Sequence, residues 1–193
     1  MTPLVERFLP LSEKELFPSP TELSARCRTP IVEIPPETKE LFYEILSVAT
    51  PAAVFSVWER SFDLTELLSL EGEASLLGDR VALFAVTLGY GVDRLLEREQ
   101  RRSLERAYLL DAVASAMVEA GADATERAIR DGFPEIRFGR RYSPGYGKLP
   151  LSANTPLLSL LGADRRLGIR QSESLLMHPS KTVTAILGGS HDI

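Results

Sequence analysis

Two stretches of the chain carry apolar residues with almost no polar interruption. "AAVFSVWER", beginning at Ala52, is rich in Val, Phe and Trp and predicts a strand. "RVALFAVTLG", beginning at Arg80, is a continuous apolar run of strand length and predicts a buried strand. Around them the apolar residues recur at helical spacing. Pro36 opens a helix whose first turn is acidic and whose stripe is Leu41, Ile45 and Val48. Residues 63–77 predict a helix with Leu64, Leu67, Leu68 and Leu76 on its apolar side, ended by Gly78-Asp79. From about Val92 to Arg130 the chain reads as helical throughout. Leu104, Tyr108, Asp111, Ala114 or Ser115, and Val118 recur at helical spacing there. Ala112, Ala114, Ser115 and Ala116 are small enough for close helix approach, and Gly121 with Asp123 predicts a break and restart.

The remaining third mixes extended and helical signals. "EIRFGRRYSPGYG" predicts an extended piece that ends in a turn, and residues 152–161 a short helix. "GIRQSESLLM" and "SKTVTAILG" read as two strands or one strand with a bend, and "GSHDI" as a frayed end. Residues 1–37 are proline-rich, which excludes a long helix or a central strand. One short helix is signalled there by Ser19 as N-cap, Pro20 at the first position and Glu22. The expected organisation is a proline-rich arm over residues 1–35 packed on one α+β domain over residues 36–188, with a small sheet and helices beside it.

Composition narrows the function. The chain has 193 residues, 44% hydrophobic and 25% charged, with a formal net charge of -5. That balance argues against a nucleic-acid function driven by overall charge. No basic start followed by an apolar run marks a signal peptide, and no window has the roughly 18 apolar residues of a spanning helix, so no membrane role is expected. Two histidines, His178 and His191, with no Cys/His cluster, speak against structural zinc. Cys27 is the single cysteine, so no internal disulfide forms, which fits a reducing cytoplasm. It reads as a packed thiol.

"RRYSPGYGKLPLS", residues 140–152, is the densest window in turn formers, aromatics and positive charge. Pro144-Gly145 needs only a turn. Arg140, Arg141, Tyr142 and Tyr146 are not required for one. Arginine suits a bidentate grip on a carboxylate, glycine lets a ligand approach the backbone, and tyrosine rings suit a base or a cation. On residues alone, a decorated turn and a small-molecule pocket both remain open. Acids such as Glu119 and Glu135 can meet a ligand cation, although most acids of such a chain are solvated. "TLGYG", residues 87–91, follows a strand and precedes a helix but matches no phosphate-loop pattern, so packing is its expected role. His178 reads as a packed or solvated residue. No catalytic triad is evident.

"RYSPGYG" (141–147) followed by "SESLLMHPSKTVTA" (172–185) resembles the activation domain of cobalamin-dependent methionine synthase, and most of all its free-standing activation-subunit type. An Arg-x-x-x-Gly-Tyr element and, about thirty residues later, a Ser-Glu-Ser segment with a following proline occur in the family's order. "LFAVTLGYGVDRLL" and "LLDAVASAMVEAGAD" add to the likeness, which spans roughly residues 36–188. The resemblance implies a twisted antiparallel sheet with flanking helices and S-adenosylmethionine as ligand. It implies that Arg141 holds the methionyl carboxylate, that the backbone around Ser143 and Gly145 lines the ligand, and that Tyr146 shapes the pocket. Glu135 corresponds to a family acid near the ligand. Where the family has an acid in the long helix this chain has Ser115, with Glu119 one turn away as substitute. The family also continues past the point matching Gly188 and supplies a further tyrosine.

The implied activity is reductive remethylation of cobalamin that has been oxidised to cobalt(II), with S-adenosylmethionine as methyl donor. Such a subunit needs no acid, base or nucleophile of its own, because the cofactor carries the chemistry and the protein orients it. The implied partners are a corrinoid-bearing methionine synthase or related methyltransferase, which carries the cobalamin, and a flavodoxin-like electron donor. Two other readings stand beside this one. The chain is a non-catalytic S-adenosylmethionine-binding sensor or assembly factor, or it is an unrelated α+β domain in which the turn is only a turn.

Overall fold

The computed structural model describes residues 2–70 and 78–191. Five strands form one antiparallel sheet: β1 (Val5–Pro10), β2 (Ala52–Glu59), β3 (Arg80–Thr87), β4 (Ile136–Tyr142) and β7 (Thr182–His191). Their spatial order is β1-β2-β3-β7-β4. A separate short hairpin pairs β5 (Arg170–Gln171) with β6 (Met177–His178).

Helices cover both faces of the sheet, so β2 and β3 are buried on both sides. On one face Ala53, Phe55, Val57, Ala82, Phe84 and Val86 meet α1 (Glu13–Leu16), α2 (Pro20–Cys27), α3 (Pro36–Val48), α5 (Tyr90–Gln100) and the long α6 (Leu104–Gly132). On the other, Val54, Trp58, Val81, Leu83 and Ala85 meet α4 (Phe62–Leu67), α7 (Asn154–Leu161) and α8 (Ala163–Leu167). This explains why β2 and β3 read as nearly unbroken apolar runs rather than as the alternation of a half-solvated antiparallel sheet. The polar atoms buried with them are paired. Trp58 Nε1 donates to Ser56 Oγ at 2.7 Å, and Thr184 Oγ1 donates to Asn154 Oδ1 at 2.5 Å.

Several expectations need correction. The helical section does not break at Gly121. It breaks earlier, between α5 and α6, where Ser103 accepts the Arg106 N–H at 3.3 Å and caps α6. Gly121 instead sits inside α6 against the core. A Cβ there would stand 3.1 Å from Leu11, 3.2 Å from Leu16 and 3.3 Å from Val86. The end is not frayed at "GSH" either: β7 runs to His191 and pairs with β4. Gly189 lies under the β4 side chains, where a Cβ would come within 2.8 Å of the Phe138 ring. Asp79 pins the strand end through the His191 ring at 2.7 Å, and this bond holds the Asp79 carboxyl below its ordinary range.

Helix α4 stops at Leu67, with Ser69 at φ 55, and the part of the expected helix around Leu76 lies outside the described residues. The stripe of α3 is Leu41, Phe42 and Ile45, whereas Val48 is exposed. Within residues 1–35, α2 begins as expected, with Ser19 Oγ accepting from Glu22 N at 3.1 Å. The same segment also supplies the edge strand β1 and the helix α1, neither of which its prolines announce.

Two stability predictions follow from this packing. Gly121→Leu should lower stability by about 1–3 kcal/mol through overpacking, whereas Gly132→Ala, with open space around it, should leave the denaturant midpoint unchanged or raise it. Glu15 accepts the backbone N–H and the hydroxyl of Ser12, both at 2.7 Å, and the backbone bond above all lowers its pKa. A lowered carboxylate pKa stabilises the fold above the unfolded value and ceases to do so as pH falls through the folded value. Glu15→Ala should therefore cost about 1 kcal/mol at neutral pH, and the gap from the wild type should narrow on acidification, as read by urea unfolding at several pH values.

Candidate functional site

The site begins with an edge strand that changes register. Along β4, Ile136 and Phe138 point to the α6 side and belong to that core. Simple alternation would send Arg140 the same way and Arg141 to the opposite face. A β-bulge intervenes: Phe138 pairs with Gly189 but Arg141 pairs with Leu187, so Gly139 and Arg140 stand opposite Gly188 alone. Past the bulge Arg141 faces α6, and Tyr142 packs on the other core. Arg130 of α6 secures the bulge by donating to the carbonyls of Phe138 and Gly139, each at 2.6 Å.

Arg141 lands among acids. Its Nη1 lies 2.9 Å from Asp123 Oδ1 and 3.5 Å from Glu126 Oε2, and its Nη2 lies 3.3 Å from Glu119 Oε2. Glu119 is also held by Arg26 of α2 at 3.1 Å, and Glu126 by Arg130 at 2.7 Å. These contacts alternate in sign across α2, α6 and β4. All the partners are partly solvated, so each pair contributes a fraction of a kcal/mol to about 1 kcal/mol. Their main effect is to fix where the Arg141 fork sits.

The turn follows directly. Tyr146 N–H donates to Ser143 O at 3.2 Å, with Pro144 and Gly145 between them and Gly145 at φ +94, as a type II turn requires. Gly145 N–H donates to Leu149 O at 2.9 Å, and Leu149 is buried in the second core, which anchors the loop. Ser143 is half-buried, whereas the Tyr146 ring is 72% exposed.

Among the expected site residues, Glu119 and Arg141 are therefore in contact, and Ser143, Gly145 and Tyr146 follow Arg141 at the same end of β4. Glu135 is not beside them. It is exposed and precedes the far end of β4, about 20 Å of extended chain from Arg141. Ser115 is bound to Lys181, whose Nζ is 2.9 Å from Ser115 Oγ and 2.7 Å from Asp111 Oδ1. Asp123, Glu126 and Arg130 went unrecognised in the sequence. Their signal is a polar stripe at spacings of three and four along α6, from Asp111 through Ser115, Glu119, Asp123 and Glu126 to Arg130.

Other candidate chemistry resolves into packing. In "TLGYG", Thr87 Oγ1 accepts the Gly89 N–H at 3.1 Å, and a Cβ on Gly91 would stand 1.9 Å from Val48 O. A groove of about 730 Å³ between α7, α8 and β5 is lined by Thr155, Asp164, Arg165 and Arg170, and none of the expected site residues reaches it. Among the described residues, no group of three or more His, Cys, Asp or Glu is placed to hold a metal ion, and no helix is long and apolar enough to cross a membrane.

Comparison with known proteins agrees with the fold. A family model described as "Vitamin B12 dependent methionine synthase, activation domain" matches residues 69–192, more than half of the chain. The chain also superposes on a solved structure, the MetH reactivation domain bound to AdoHcy, with a TM-score of 0.71 and 17% identity, covering 99% of this chain and 80% of that one. At that identity the likeness establishes the fold. No curated protein sequence matches the chain.

The bulge itself is testable. Arg130→Met should leave two bulge carbonyls without their donor and speed hydrogen exchange at the amides of Gly139 to Tyr142 by roughly 5- to 30-fold, the equivalent of about 1–2 kcal/mol of local stability. Protection elsewhere in the sheet should be unchanged.

Proposed function

We propose a function from one premise: the chain belongs to the vitamin B12 dependent methionine synthase activation-domain family. On our reading it binds S-adenosylmethionine at the Arg141 surface. There it supports reductive remethylation of the cobalamin of a corrinoid methyltransferase such as methionine synthase, acting as a free-standing cytoplasmic subunit. A flavodoxin-like protein is the electron donor in this scheme. The partner's cobalamin, reduced by one electron from that donor, would supply the methyl-accepting chemistry, with S-adenosylhomocysteine as the other product. The chain itself binds and orients the methyl donor.

The observation that carries this reading is the position of Arg141. An arginine fork is held at the exposed end of an edge strand, immediately before a glycine turn and beside three carboxylates. The ligand has matching groups: a carboxylate for the arginine, and cationic groups, an ammonium and a sulfonium, for Glu119. Gly145 leaves the backbone open, and the exposed Tyr146 ring is available to a nucleoside or a cation. Glu135 belongs to the same site only if the ligand extends along β4. The MetH reactivation domain of like fold is described as bound to AdoHcy, which is the demethylated form of this ligand.

Arg141→Ala should weaken S-adenosylmethionine binding by about 1.5–3 kcal/mol, the scale of a charged hydrogen bond. Titration calorimetry tests this, and unchanged affinity would remove Arg141 from the site. In trans, the chain should convert the cobalt(II) absorption of an oxidised corrinoid partner to that of the methylated form. The conversion should require S-adenosylmethionine and a low-potential reductant, and should place the donor's labelled methyl on cobalt. Equal conversion without the chain would overturn the reading. Binding without conversion would identify a sensor or assembly factor.

A further inference from the structure

We propose that Asp123 is an internal stand-in for the ligand carboxylate, so that it sets the affinity of the site by competing for Arg141. This rests on the reading that Arg141 receives a carboxylate. Three carboxylates reach the Arg141 fork, and they are not equivalent. Glu119 is also bonded to Arg26, and Glu126 is also bonded to Arg130. Asp123 has Arg141 as its sole ion-pair partner among the described residues. Its side chain is also the most solvated of the three, 58% exposed against 27% for Glu119 and 21% for Glu126. Yet it makes the shortest contact, 2.9 Å to Nη1.

These differences decide which carboxylate yields. Displacing Glu119 or Glu126 disturbs a second ion pair, with Arg26 or with Arg130. Displacing Asp123 breaks one contact and returns a mostly solvated carboxylate to water. One carboxylate leaves the guanidinium as another arrives, so the charge on the fork is conserved. Glu119, tethered by Arg26, stays in place for the cationic part of the ligand. The closed pair lowers the fraction of protein able to bind, and apparent affinity falls by that fraction. An exposed pair of ordinary strength corresponds to roughly a 2- to 6-fold effect.

The probe is S-adenosylhomocysteine. It keeps the amino-acid carboxylate but carries no net charge, so loss of one nearby negative charge does not by itself weaken it. Asp123→Asn should bind it about 2- to 6-fold more tightly than the wild type. Methylthioadenosine, which lacks the amino-acid moiety, should bind both proteins alike. Unchanged or weaker binding of S-adenosylhomocysteine by Asp123→Asn overturns the proposal, as does equal tightening of both ligands. Arg141→Ala separates the two levels. If it weakens binding while Asp123→Asn does not tighten it, only the role of Asp123 fails. If Arg141→Ala binds as the wild type does, or if no variant binds either ligand, the site itself fails and Asp123 with it. Circular dichroism confirms that each variant is folded.

Discussion

Burial of β2 and β3 on both faces is the constraint on which the rest of this structure depends. Two strands that are buried on both faces along almost their whole length cannot lie at an edge or face water on either side. They must sit inside the sheet and be covered by helices above and below. That requirement places β1 and β4 at the edges and stacks α6 and its neighbours on one face and α4, α7 and α8 on the other. It also places the variable chemistry. An interior strand has no freedom to change register without moving its whole apolar set to the wrong side. An edge strand pairs on one flank only, so β4 accommodates a bulge that β2 or β3 could not.

The bulge is what sets the geometry of the candidate site on an otherwise ordinary edge. It converts the choice between two adjacent arginines into a definite one, turning Arg141 towards α6 while leaving Arg140 exposed. The α6 helix then has two tasks along one stripe. Arg130 satisfies the carbonyls that the bulge frees, and Glu119 and Asp123 hold the arginine that the bulge delivers. Backbone irregularity and side-chain chemistry are thus coupled: without Arg130 the bulge carries unpaired carbonyls, and without the bulge Arg141 faces the wrong core.

The inner strands, α3 and the Pro144-Gly145 turn were legible because each depends on a local pattern. An apolar run, a proline opening a helix and a proline–glycine pair act through their own residues. What was not legible depends on partners distant in sequence. Gly121 looks like a helix breaker until Leu11, Leu16 and Val86 are seen to occupy the space a side chain would need. Gly189 looks like a loose tail until Phe138 is seen above it. Ser103 carries a capping signal, but one easily lost in "EREQRRSLER", where every residue but Leu104 is polar. Of the site, Arg141 and the turn could be singled out by type, and Glu119 by its distance along the helix. Asp123, Glu126 and Arg130 could not, since only the bulge shows which face of α6 they must share with β4.

The acids around Arg141 also pre-arrange the candidate site. A guanidinium exposed at a strand end would otherwise be free to sample many rotamers, and a ligand would have to restrict all of them on binding. Ion pairing to a rigid helix fixes the fork in advance. The same carboxylates supply negative charge beside it, so a ligand carrying both a carboxylate and a cationic centre meets both complements within one short stretch of surface. A ligand with the carboxylate alone meets repulsion from the neighbouring acids, and one with the cation alone gains nothing from the arginine. On the proposed reading, selectivity for a zwitterion would come from the alternation of charge across α2, α6 and β4, and the glycine turn would contribute the room for it to approach.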